Sequence, residues 1–306
     1  MNKVAYIFPG QGSQYVGMGK DLFSESTVAK DIFLKADEIL GFSLSKICFE
    51  GPEEELKKTK NTQPAIFLHS LAVWEILNPK DAAMLAGHSL GEYSALVAAG
   101  ALTFEDALKL VRLRGELMQK AGEENPGAMA AVVGLDAKVV GEVCSTACKE
   151  GVVQAANFNS PGQVVISGSV SGVRKGMEIA KERGAKLVKE LVVSGAFHSP
   201  LMQSAKDGLK TALDHVDIRD AKIPVFANVT AKAVQKANEI RALLFEQVTS
   251  PVRWHETVVN MAADGATSFI EIGPGKVLQG LVKRIAPNVT VSGVETAASV
   301  SVLERA

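Results

Sequence analysis

Three cysteines in 306 residues, Cys48, Cys144 and Cys148, are too few and too odd in number for a disulfide-stapled secreted fold. They fit a reducing cytoplasm. Cys144 and Cys148 stand one helical turn apart with no histidine nearby, so no metal site is expected. An excess of charge is also missing: 33 Lys and Arg against 34 Asp and Glu leave a formal net charge of −1. That excludes a global field for nucleic acid or an anionic membrane. No charge-free apolar stretch is long enough to span a bilayer, and Met1-Asn2-Lys3 leads straight into the short run Val4–Phe8, which is no signal-peptide core. Repeats and low-complexity tracts are absent. What is present is apolar mass: with 47% hydrophobic residues the chain can bury a large core, as one domain or as a domain with a smaller one inserted. The expectation is a soluble cytoplasmic protein, monomeric by default.

The chain is organised around Gly87-His88-Ser89-Leu90-Gly91. This Gly-x-Ser-x-Gly stretch follows the apolar run Ala82–Ala86 and precedes the helical run Tyr93–Ala99, so it reads as strand, sharp turn, helix. At such an elbow the serine hydroxyl projects from the sheet edge, and the N–H of Leu90 lies near the positive end of the helix. The motif offers a nucleophile and half an oxyanion hole. Its plainer alternative is a glycine-rich turn that happens to hold a serine.

Val4–Phe8 reads as a buried parallel strand, and the loop Pro9-Gly10-Gln11-Gly12-Ser13-Gln14 after it is either a ligand-facing glycine loop or a plain turn. It lacks the ending of a P-loop. Helices are expected at 26–40, at 64–77 starting on Pro64, and from the cap Thr103 to about Ala121. On the last of these, Arg112 shares a polar face with Glu105, Lys109 and Glu116 and reads as solvated. Arg114 falls with Ala107, Val111 and Met118 on an apolar face, where it must pair with a protein carboxylate, snorkel, or meet an anionic ligand. After the linker 123–127 come strand 128–133, helix 137–149, strand 152–156, the turn Asn159-Ser160-Pro161-Gly162, strand 163–167, helix 173–183 and strand 186–193. That βαββαβ order is the ferredoxin-like pattern. Helix and strand then alternate again, with strands at 223–229 and 267–272 and helices at 199–214, 238–248, 254–263 and 276–285. The predicted class is α/β: a hydrolase-like parallel-sheet large subdomain, 1–124 and 196–306, interrupted by a ferredoxin-like small subdomain at 125–195. Gly273-Pro274-Gly275-Lys276 is taken as a packing turn.

A serine nucleophile needs a base. His69 sits in an apolar helix as a satisfied core residue, His215 and His255 have no motif around them, and His88 points away from its neighbour Ser89. His198, in Gly195-Ala196-Phe197-His198 at the return from the insertion, is the best base by elimination. No acid presents itself as a third member, so a carbonyl holding the other imidazole N–H would complete a dyad.

Phe8-Pro9-Gly10-Gln11-Gly12-Ser13-Gln14, Gly87–Gly91, Gly195–His198 and Gln247-Val248-Thr249-Ser250-Pro251-Val252-Arg253-Trp254, in that order, make nearly the whole chain resemble the malonyl-CoA:acyl carrier protein transacylases of fatty acid synthesis. The resemblance implies acylation of Ser89 with His198 as base, an oxyanion hole from the backbone of Gln11 and Leu90, and Arg114 holding the malonyl carboxylate. It further implies Gln247 orienting His198 through its carbonyl, Asn159 near the acyl group, and Phe197 filling the pocket in the malonyl manner. Malonyl-CoA is then a substrate, holo acyl carrier protein the partner, and no metal, redox cofactor, nucleic acid or membrane takes part. Lys181, Arg183, Lys186 and Lys189, or Lys57, Lys58 and Lys60, are the basic runs that an acidic carrier protein would meet, if they are more than solvated surface. The rival readings are a serine esterase or thioesterase, which should carry an acid between serine and histidine in sequence and has no use for Arg114, a methylmalonyl-selective or polyketide-pathway acyltransferase, and a non-catalytic carrier-protein binding module.

Overall fold

The computed structural model describes residues 3–303, so Met1, Asn2 and the last three residues lie outside them. The elements run β1 (Lys3–Phe8), α1 (Lys20–Glu25), α2 (Thr27–Leu40), α3 (Leu44–Glu50), α4 (Glu53–Lys57), α5 (Thr59–Leu77), β2 (Ala82–Gly87), α6 (Gly91–Ala98) and α7 (Phe104–Glu124). Then follow β3 (Gly127–Val133), α8 (Ala137–Ala147), β4 (Val153–Ser160), β5 (Gln163–Ser169), α9 (Val170–Glu182) and β6 (Leu187–Glu190). The chain closes with α10 (Gln203–His215), β7 (Val225–Phe226), β8 (Ala233–Val234), α11 (Ala237–Gln247), α12 (Trp254–Ala263), β9 (Ala266–Ile272), α13 (Val277–Ile285), β10 (Thr290–Val294) and α14 (Ala297–Leu303). No described helix is long and apolar enough to cross a membrane.

Two sheets result. The larger has the order β10-β9-β1-β2-β7-β8, parallel except for the β7–β8 pair. Its central strands are apolar without alternation, because helices cover both faces: the last four residues of β1 and of β2 are buried. The smaller sheet is antiparallel with the order β4-β5-β3-β6, and α8 and α9 pack on it around Val140, Val143 and Val173. This is the βαββαβ arrangement that the strand and helix order predicts.

Several expectations are corrected. Helix α5 begins at Thr59, five residues before Pro64, which lies inside it. A proline there leaves the Lys60 carbonyl without its helical donor, and Arg112 Nη1 supplies one at 2.9 Å. Arg112 is therefore half-buried and fully engaged, with Glu116, Asn61 and the Phe42 ring as its other neighbours, and is no solvated charge. Strand 223–229 contracts to Val225–Phe226, since the chain turns back to pair β8. Strand 186–193 ends at Glu190, where the chain leaves the sheet to line the cleft. β4 runs on to Ser160, so the turn is confined to Pro161-Gly162.

The sheets are joined at the bulge in β4 and where the chain returns past α7. β4 bulges between Ala155 and Asn157, and there the Phe158 N–H donates to Val252 O at 2.9 Å while the Val252 N–H donates to Ala156 O at 2.8 Å. The small sheet is thus tied to the segment that follows α11. At the other end of the cleft, Gly122 of α7 admits the returning chain: a Cβ there would overlap the Ser194 carbonyl.

Candidate active site

Ser89 stands between the C-terminal end of β2 and the first turn of α6, with φ of 52°. That left-handed conformation is strained for a residue with a Cβ and persists only where neighbours enforce it. Gly87 and Gly91 make the elbow possible: a Cβ on Gly87 would overlap the Gly91 carbonyl carbon, and one on Gly91 would overlap the Phe8 carbonyl oxygen of β1. Asn228, just past β7, clamps the turn by accepting the Ser89 N–H at 2.6 Å and donating to Gly87 O at 2.7 Å. Asn228 has no motif around it, and sequence reasoning missed it.

His198, also at positive φ (56°), places Nε2 2.8 Å from Ser89 Oγ. Its Nδ1 lies 3.0 Å from Gln247 O and 3.1 Å from Ser250 O. Two carbonyls can only accept, so Nδ1 carries the proton and Nε2 keeps its lone pair for the serine hydroxyl. The missing acid is replaced by two backbone oxygens. Gln154 of β4 steadies this segment by donating to His198 O at 2.7 Å and to Thr249 O at 3.2 Å. Burial first, then the positive charge of Arg114, push the His198 imidazole down to about 3. It is a neutral hydrogen-bond acceptor across the physiological range.

Arg114 reaches the serine from α7. It is 1% exposed, and donates from Nη1 to Gln63 Oε1 at 2.6 Å and from Nη2 to Ser89 Oγ and Gln247 Oε1, both at 3.0 Å. Its Nε finds no partner. Among the described residues it makes no ion pair within 4 Å, and every polar partner is neutral. Burial pushes its ionisation down from the ordinary arginine value. A buried guanidinium whose hydrogen-bond partners are all neutral, with the Glu92 carboxylate acting on it only through space, keeps the capacity to receive an anion.

The amides of Gln11 and Leu90 donate to no protein oxygen among the described residues, and both residues line the cavity that holds Ser89. This cavity measures about 190 Å³, and Arg114, Asn159, Phe197 and His198 line it as well. Gln247 lies behind the wall, fully buried. Asn159 Oδ1 accepts from His88 Nε2 at 2.9 Å, so His88 is a bridge to the small sheet and its ring, lowered by burial, stays neutral. His69 differs from expectation. It is buried in α5, but neither ring nitrogen has a well-formed hydrogen bond, and burial pushes it down to about 4. No group of three or more His, Cys, Asp or Glu among the described residues stands together as a metal site.

The remaining polar groups are Glu92 and the side chain of Gln247. Gln247 Nε2 donates to Ser89 O at 3.0 Å and to Glu92 Oε2 at 2.8 Å, and the same carboxylate oxygen accepts the Asn228 N–H at 3.0 Å. Burial pushes the Glu92 carboxyl up to about 7. The sign of a role was present in the sequence: Glu92 is the one charged residue in an otherwise uncharged helix, one turn after the serine.

A model of the acyl transferase domain family matches residues 5–306. The malonyl CoA-acyl carrier protein transacylase of Bacillus subtilis is 51% identical over 288 residues, covering 93% of this chain and 91% of its own. The crystal structure of the acyl-carrier-protein-S-malonyltransferase from Bartonella henselae is similar with a TM-score of 0.96 at 42% identity, over 99% of this chain and 98% of that one. A malonyl-transacylase solved in complex with a type II PKS acyl-carrier protein gives 0.96 and 42% over the whole of both chains.

Proposed function

The chain belongs to the acyl transferase family, among relatives that are malonyl CoA-acyl carrier protein transacylases, and from that premise we propose that it moves malonyl groups from coenzyme A to the phosphopantetheine thiol of holo acyl carrier protein, as a supply step for fatty acid elongation. The observation that carries this reading is Arg114 Nη2 at 3.0 Å from Ser89 Oγ. A hydrolase with the same serine and base has no use for a guanidinium beside them; here it selects an acyl group that bears its own carboxylate.

In the first half-reaction His198 Nε2 takes the Ser89 proton, and Oγ attacks the thioester carbonyl. Charge develops on the carbonyl oxygen between the Gln11 and Leu90 amides, each worth about 3 kcal/mol of barrier. The tetrahedral intermediate collapses with loss of coenzyme A, whose sulfur receives the proton from His198, and leaves a malonyl ester on Ser89. In the second half the carrier-protein thiol gives its proton to His198 and attacks that ester; the second tetrahedral intermediate then collapses with cleavage of the Ser89 ester bond, and His198 returns the proton to Ser89 Oγ. A thioester supplies its own activation and the product is another thioester, so the residues present suffice and no metal or redox cofactor is required. Arg114 holds the free carboxylate throughout, Asn159 lies beside the acyl group, and the Phe197 ring fills the pocket in the manner suited to malonyl.

We place the protein in the cytoplasm as a monomer acting away from membranes, with 125–195 as the small subdomain that walls the cleft. Of the two basic runs, Lys57 and Lys58 are paired with Glu53 and Glu55, and Arg183 with Glu142, which leaves Lys60 in the first run and Lys181, Lys186 and Lys189 in the second without an ion pair among the described residues; three of the four freer charges for an acidic carrier thus lie on the small subdomain. The test is intact-mass measurement after incubation with malonyl-CoA alone. A malonyl adduct on Ser89, absent in Ser89→Ala and discharged by holo carrier protein, is the expected result; rapid hydrolysis with no transfer means a hydrolase.

A further inference from the structure

The backbone of Ser89 is held at both ends, and both holding residues depend on one atom. Asn228 takes the Ser89 N–H and Gln247 takes the Ser89 carbonyl, at 2.6 and 3.0 Å. The Asn228 N–H and the Gln247 side-chain amide then converge on Glu92 Oε2, at 3.0 and 2.8 Å. Glu92 is 3% exposed and touches neither His198 nor the cavity. It is not the missing acid of a triad.

Gln247 has one feature that gives the carboxylate a part in its orientation. Its Oε1 faces the Arg114 guanidinium and its Nε2 faces Glu92. An amide can flip, but here a flip would set its NH₂ against donors of Arg114 and its oxygen against both the Ser89 carbonyl and an acceptor-only carboxylate. With a neutral amide at position 92 the carboxylate's penalty disappears, since that side chain can turn its own NH₂ toward the flipped oxygen, and only Arg114 and the Ser89 carbonyl still oppose the flip.

We propose that Glu92 is a positioning residue for the transfer, whose carboxylate locks the Gln247 amide with its oxygen toward Arg114 and, through Asn228 and Gln247 together, holds the Ser89 elbow in its strained conformation. The proposal rests on the malonyl-transfer reading. Locking the amide sets where the guanidinium lies, and so bears on malonyl recognition; holding the elbow bears on attack by the serine, whatever the acyl group. The two contributions separate by substrate.

The experiment compares wild type with Glu92→Gln for the rate of Ser89 acylation by malonyl-CoA and by acetyl-CoA, followed by intact mass, with thermal denaturation as a check on folding. Wild-type malonylation tests the parent reading independently. For the variant, malonylation falls about a hundredfold and acetylation about tenfold, so the malonyl preference drops about tenfold, and Glu92→Asp, which keeps the acceptor, regains most of that preference. Equal losses for both substrates, or none, overturn the proposal. Should Glu92→Gln not fold, the wild type carries the test by NMR: the Gln247 side-chain NH₂ and the Asn228 N–H must shift with one common pH midpoint as Glu92 titrates. The groups facing Glu92 are Arg114 of α7 and, on its own helix, Tyr93. Separate midpoints, or no shift, overturn it equally.

Discussion

In the role proposed for it, Arg114 couples recognition to base strength. Its charge lowers the His198 imidazole, second only to burial, so pairing it with a malonyl carboxylate relieves part of that depression and makes His198 a stronger base when the correct acyl group is bound. In Arg114→Gln the charge is removed permanently. A carboxylate held by charge-assisted bonds of about 1.5–3 kcal/mol each is lost, so kcat/KM for malonyl-CoA falls about a hundredfold or more while acetyl transfer changes little. The His198 ionisation moves up toward its ordinary value, and the acid limb of acetyl transfer shifts to higher pH with it. Equal losses for both substrates and an unmoved limb would make Arg114 a packing residue. Ser89, His198 and Arg114 were legible in sequence because each stands in a motif or on an interpretable helix face. Asn228, Gln154 and the side chain of Gln247 were not, since they act through hydrogen bonds between residues far apart in the chain, which no local pattern encodes.

Among the elements, long periodic segments were readable and short ones were not. α2, α7 and the βαββαβ unit declared themselves by caps and apolar spacing, whereas α1, α3, α4, β8 and β10 are two to seven residues long and hold their form through packing. Pro64 misplaced the start of α5 because the donor that compensates for it, Arg112, comes from another helix. α13 shows a second compensation of this kind. Its first amides, Leu278 and Gln279, are capped by Glu271, a fully buried carboxylate on β9, at 3.1 Å each. Burial outweighs these bonds and pushes Glu271 up to about 7 from its ordinary 4.5. The folded state therefore binds its proton more tightly than the unfolded chain does. This contribution is fully present below about 4.5 and is lost as pH rises to about 7. Glu271→Gln removes that dependence while every other titration cancels in the difference. Relative to the variant, wild type should lose up to about 1.4 kcal/mol per pH unit between pH 5 and 7 in urea unfolding, then run parallel. Parallel behaviour throughout would mean the carboxyl is ionised in both states.

At the scale of the whole molecule, the two sheets share an interior. Met129 of β3, Ala156 of β4 and Val165 of β5 belong to the same apolar cluster as Phe8, Leu85 and Met118 of the large sheet and its helices. β4 also bonds to Val252 on its far side. Opening the cleft between the sheets would expose that shared core and break those bonds. The chain should therefore unfold as one cooperative unit despite its inserted small sheet. Cys144 reports on this. It is buried in the small sheet's own cluster, and burial pushes its thiol up to about 12, so a thiol reagent reaches it only when α8 leaves the sheet. Both tryptophans, Trp74 and Trp254, sit in the large part. In a chain carrying Cys48→Ser and Cys148→Ser, the denaturant midpoint for Cys144 labelling and that for tryptophan fluorescence should coincide. Labelling at lower denaturant would show the small sheet opening by itself, and the cleft would then be a hinge. Coincidence leaves the cleft preformed, with the carbonyls that hold His198 fixed against a sheet contributed by the insertion.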